Sequence, residues 1–116
     1  MPILIEAPTR IPVPQGKLLD EYVGGVNTGD SHVSIAHMRS PAGWSEPGQR
    51  PDFEELTLVL SGELVVEHES GITRVKGGQA IIAKPGEWVR YSTPQGAEYV
   101  AICLPAFSLD TVHRDA

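Results

Sequence analysis

The chain has a single cysteine, Cys103, in 116 residues, so it cannot form an internal disulfide. Nothing therefore ties it to an oxidising compartment. Basic residues are also few. There are nine Lys and Arg against 15 Asp and Glu, for a net charge of −6, and the nine are scattered rather than clustered. Binding a phosphate backbone requires a basic face, so nucleic acid is not an expected partner. No apolar run approaches the ~20 residues of a membrane-spanning helix. Residues 1–7 lack the basic-then-apolar order of a secretory leader. The expectation is a cytoplasmic protein with no membrane contact. The length predicts one domain, able to bury roughly two thirds of its unfolded surface around a modest core.

What the chain has in quantity is turn formers. Its 12 Gly and 10 Pro are spread as punctuation between short runs rich in Val, Ile, Leu, Thr and Tyr. That rhythm predicts an all-β sandwich or barrel. Residues 1–30 carry Pro2, Pro8, Pro12 and Pro14, which disfavour a helix and predict an extended arm packed on a sheet of its own barrel or of a partner. Strands are predicted at His32–Arg39, Glu54–Leu60, Glu63–Glu69, Ile72–Val75, Gln79–Ala83, Trp88–Ser92 and Glu98–Leu104, each closed by a Gly or Pro turn. Residues 31–105 are then the barrel. The last segment, 106–116, holds a short helical turn with Ser108 as N-cap and Asp110 in its first turn.

One strand departs from simple amphipathic alternation. Leu56, Leu58 and Leu60 make one face, while Glu55, Thr57 and Val59 make the other. An antiparallel strand that meets water on one side shows polar residues there. The Leu face is therefore expected to be covered, either by the N-terminal arm or by a second copy of the chain, and a homodimer is the expected assembly.

Two spaced motifs then carry a family resemblance. The stretch from Gly43 to Gly62 resembles the first motif of the cupin superfamily, G-x5-H-x-H-x3-E-x6-G. Gly43, Glu55 and Gly62 are in register, with Gln49 and Pro51 at the histidine positions. The second motif, G-x5-P-x-G-x2-H, is matched by Gly78 and Gly86, with Lys84 at the proline position and Val89 at the histidine position. The resemblance spans about residues 31 to 105. It implies a cupin-type double-stranded β-helix, a jelly-roll barrel, with an interior site between converging strands. It also implies that the family's imidazole ligands are missing here. Proline and valine side chains cannot ligate, and a lone carboxylate with an amide makes a poor transition-metal site. No cofactor is expected.

In that frame Glu55 points into the barrel. Burial there raises a carboxylate's pKa and suits it to general acid or base work. The bland alternative is a buried Glu tied by hydrogen bonds to Gln49, Tyr91 or an arginine. Gln49, in a loop at the barrel mouth, is a candidate for hydrogen-bonding a ligand. Tyr91 shares parity with Val89 and faces inward. Val59 and Val89 are the expected apolar walls. His37 lies on the strand before the first motif; facing inward it would replace a lost imidazole. Cys103 reads as apolar filler.

Three functions follow. The first is a barrel that binds a small polar organic molecule through Gln49, Glu55 and Tyr91, serving as a sensor or as a metal-independent isomerase- or lyase-like enzyme with Glu55 as base. The second is a metal-dependent enzyme with a rebuilt site, in which Glu55 is joined by His37, Gln49 or Cys103 around a divalent ion. The third is a non-catalytic dimeric scaffold. Whether the chain is an enzyme at all is left open by the sequence.

Overall fold

The computed structural model describes residues 1–116. It contains nine strands and one helical turn: β1 (Thr9–Ile11), β2 (Leu18–Val23), β3 (Ser34–Ser40), β4 (Trp44–Ser45), β5 (Glu54–His68), β6 (Gly71–Lys76), β7 (Ala80–Ala83), β8 (Val89–Thr93), β9 (Ala97–Leu104) and α1 (Leu109–Val112). The predicted all-β jelly roll is what forms. No helix is long and apolar enough to cross a membrane.

All strand pairings are antiparallel, and the hydrogen-bonded path runs β1-β2-β3-β9-β5-β8-β4. β5 organises the barrel. Its first half pairs with β9 on one side and β7 on the other, and its second half pairs with β6 and β8. One long strand thus belongs to both sheets and folds one over the other.

Two strands were expected where β5 is continuous. Ser61-Gly62 reads as a turn because both residues are turn formers. In the structure the register against β9 slips between Val59 and Ser61, and Gly62 adopts φ +77°. The pair acts as a bulge that redirects the strand without ending it.

The second difference concerns residues 1–30. Only residues 1–8 are an arm without regular structure, with Met1, Ile3 and Leu4 exposed. Residues 9–23 supply β1 and β2, and β2 pairs with β3 over five residue pairs that include Asp20↔His37. The barrel therefore begins near residue 9 rather than residue 31. Prolines at 12 and 14 sit between the two strands, where no ladder N–H is needed.

The main core is aliphatic and aromatic: Val59, Leu64, Val66, Val75, Val89, Tyr91, Trp44 and Tyr99 pack into one cluster. Each such side chain contributes about 1.5–3 kcal/mol on burial. A smaller cluster of Phe53, Cys103 and Val112 secures the C-terminal turn, which Ser108 caps by accepting from the Asp110 amide as predicted.

Candidate functional site

A cavity of about 450 Å³ lies inside the barrel. β2, β3, β5, β8 and β9 each turn one face to it, and residues Ile11–Pro14 and Phe107–Leu109 extend its wall. Of its 26 lining residues 14 are hydrophobic, so the chamber favours an organic body over a bare ion.

Strand parity decides which side chains enter it. On β5, Glu55 and Thr57 face inward, with Glu55 opposite Cys103 on β9 and Ala83 on β7. Burial pushes the Glu55 carboxyl up from its ordinary 4.5 to about 7. The neighbouring Glu46 charge pushes the same way, while Lys17 and a hydrogen bond from Tyr91 oppose it. That hydrogen bond is long: the Tyr91 hydroxyl donates to Glu55 Oε1 over 3.4 Å. At this length it orients more than it stabilises. Burial and the adjacent carboxylate also hold the Tyr91 phenol well above its usual range, so it remains a donor.

Gln49 is placed by its backbone. It exchanges two hydrogen bonds with Val89, at 2.8 and 2.9 Å, which fastens the loop across the end of β8. Its side chain lines the cavity, and its Oε1 is buried without a hydrogen-bond partner. A buried acceptor left unpaired costs about 1–3 kcal/mol. Glu55, Gln49 and Tyr91 thus line one cavity.

Three candidates are placed elsewhere. His37 faces outward: its Nε2 lies 2.7 Å from Glu98 Oε2, with Arg39 3.1 Å from the same oxygen. It is paired opposite Val100 of β9 and Asp20 of β2, on the parity that faces away from the cavity. His37 therefore neither binds a ligand in the cavity nor replaces a lost imidazole. Val59 and Val89 are inward but belong to the packed core rather than the cavity wall; they are 0% and 3% exposed. Thr57, Leu64 and Ala101 form the wall there instead.

The residue that sequence reasoning missed is Lys17. It sits just ahead of β2 with Leu19 and Glu21 on the same inward parity, and it is only 9% exposed. Its Nζ lies 4.1 Å from the Trp44 ring centroid and 5.6 Å from that of Tyr99. Burial lowers its pKa, and Glu46 and Glu55 partly restore it. Glu46 and Arg114 also line the cavity, 3.8 Å apart. The missed signal is a charged residue in an apparent arm. Once β2 is known to pair with β3, period-two alternation makes Lys17 inward.

The cavity's donors do not fit the divalent metal that the resemblance evokes. Nowhere do three His, Cys, Asp or Glu side chains converge. The imidazole of the rebuilt set, His37, is on the opposite face, and burial drives the Cys103 thiol up, away from the thiolate that metals require. Lys17 and Arg114 line the same chamber and offset part of the negative charge of Glu21, Glu46 and Glu55.

Comparison with solved structures agrees with the fold. No family model matches the chain. Among curated proteins it is 39% identical over 107 residues to a Myxococcus xanthus protein named endoribonuclease YbeY; the match takes in 90% of the chain but spans only 36% of that relative's length. Among solved structures, Bacillus subtilis oxalate decarboxylase superposes with a TM-score of 0.77 at 17% identity, covering 95% of this chain and 30% of that one. KdgF from a Halomonas species superposes with a TM-score of 0.72 at 14% identity, covering 85% and 89%. At such identities the likeness is one of fold.

Proposed function

We propose that this chain, a cupin-fold barrel, binds a small organic molecule in its interior cavity and that Glu55 acts there as a metal-independent general acid–base. The observation that carries the reading is a carboxyl group with a pKa of about 7 facing a largely apolar chamber beside an unsatisfied amide oxygen. A group half protonated near neutrality both accepts and returns a proton at working pH. Glu55 would take a proton from a carbon or hydroxyl of the ligand and give it back at another position. Tyr91 stays a donor beside it, and Lys17 offsets the negative charge that develops. Isomerisation or elimination fits this single-carboxylate arrangement.

The test is solvent-deuterium incorporation into candidate carbon acids, read by NMR. The parent protein is expected to promote exchange, and Glu55→Gln to remove it with the fold intact. Exchange that persists in Glu55→Gln would sink the acid–base role. Chemical-shift changes that map to the outer sheet face rather than to Gln49, Glu55 and Tyr91 would sink the cavity as the site.

The endoribonuclease activity in the Myxococcus relative's name is not part of this proposal. The matched third of that protein corresponds here to an acidic barrel of net charge −6, a poor partner for a phosphate backbone.

A homodimer is part of the same proposal. On the outward parity, Ile82, Leu56, Ile102 and Ile35 stand side by side across β7, β5, β9 and β3, with Leu58 and Val100 in the next row. Leu58, Leu60 and Ile82 are 47%, 48% and 56% exposed. The N-terminal arm, offered from the sequence as a cover for this face, leaves these leucines open. A second copy presenting the same face buries it with two-fold symmetry.

A further inference from the structure

Lys17 is the one buried ammonium in the structure, and none of the chain's ion pairs includes it. Its near neighbours are ring faces, Trp44 at 4.1 Å and Tyr99 at 5.6 Å, which hold the head group in place without neutralising it. A buried charge without a counter-ion is unfavourable and is ordinarily removed, paired or used. Glu46 and Glu55 favour its charge across the cavity, but no carboxylate pairs with it directly. Glu46 is drawn toward Arg114. Glu21 is occupied at its own turn, where its Oε2 accepts from the Val26 and Asn27 amides, both at 2.9 Å. Glu55 accepts from Tyr91. A second, independent vacancy faces the same chamber, the buried Gln49 Oε1, which lacks a donor.

We propose that the cavity takes an organic carboxylate, its anionic end seated on Lys17 Nζ, its apolar body against the Met38, Leu64 and Ala101 wall, and a hydroxyl or amide N–H of the ligand donating to Gln49 Oε1. This rests on the reading of the cavity as a small-molecule site and names the chemical class that site accepts. One ligand then satisfies both unpaired groups. A cationic ligand would bring a second positive charge beside Lys17, and a purely apolar one would leave Lys17 and Gln49 as they are. The chamber of about 450 Å³ admits a body of several carbons.

The experiment uses matched acid and amide probes: hexanoate with hexanamide, and 4-hydroxybenzoate with 4-hydroxybenzamide. Each is titrated at neutral pH into the full chain and followed by backbone amide NMR. The acids are expected to bind at least about tenfold more tightly than their amides, the hydrogen bond to a charged group supplying the difference. Lys17→Met is expected to abolish the preference and Lys17→Arg to retain part of it. If Lys17→Met does not fold, Lys17→Gln takes its place. Equal binding of acid and amide, or a preference that survives Lys17→Met, overturns the carboxylate class and leaves the cavity standing as a binding site. Failure of every probe to shift a cavity residue overturns both readings.

Discussion

Glu55 couples the site to the stability of the chain. Its folded-state pKa of about 7 lies above the ordinary 4.5, because burial and Glu46 disfavour the charged form. Between those values the folded chain keeps a proton that the unfolded chain has lost. The contribution of Glu55 to stability is therefore greatest below pH 4.5 and falls as pH rises to 7. The full swing is at most about 3 kcal/mol, and less where solvent reaches the carboxyl through the cavity. Glu55→Gln stays neutral throughout. It is expected to match the parent at pH 4 and to exceed it by about 1–3 kcal/mol at pH 8, in urea denaturation at the two pH values. Parallel stability profiles would show that the carboxyl titrates normally. A gain of that size would be the cost in stability that the proposed role of Glu55 carries.

At the scale of elements, β5 carries the fold's main constraint. It must lie in both sheets, and it changes sheets at Gly62. A Cβ built there meets the Gly96 carbonyl oxygen and lies 2.9 Å from the Ala97 Cα, both backbone, and φ is +77°. Gly78 has a similar φ of +87° with open space around its Cβ position. Gly78→Ala is expected to cost about 1 kcal/mol, for the left-handed backbone alone. Gly62→Ala is expected to cost about 3 kcal/mol or more, since the β5–β9 pairing must open to admit the methyl group. Thermal melts of the two variants check this, and equal losses would mean that the bulge yields easily. The sequence makes Gly62 legible as punctuation. It does not say whether the punctuation ends a strand or bends it, because that depends on where β9 and β7 lie.

For the whole molecule, the outer sheet face is where the proposed homodimer would form. Leu58 stands near the middle of the apolar rows, flanked in register by Ala80 and Val100. In the proposed homodimer, Leu58→Glu would bury a charge on each side of the two-fold axis. It is expected to weaken association by about 2–3 kcal/mol while leaving the monomer's fold intact, since the side chain is exposed there. Light scattering coupled to size exclusion, across a concentration series, reads the change. A parent that is monomeric at every concentration would remove the dimer from the proposal. The outward cluster of His37, Arg39 and Glu98 borders the same face, so His37 belongs to the outer surface and to any contact made there.

The sequence by itself determined the class of fold and half of the site. Alternation and Gly/Pro punctuation place β3 and β5 to β9, though not the two-residue β4, because period two and turn chemistry are local properties. The motif register puts Glu55 and Gln49 in one frame, and Tyr91's shared parity with Val89 turns it the same way. Tertiary structure decided what has no local signature. A strand has two faces, and neither is the inside until its neighbours are chosen. That choice turned His37 outward, sank Val59 and Val89 into the packed core, and enrolled residues 9–23 in the sheet. It also brought Lys17, an ordinary charge in a proline-rich segment, between two aromatic rings inside the barrel.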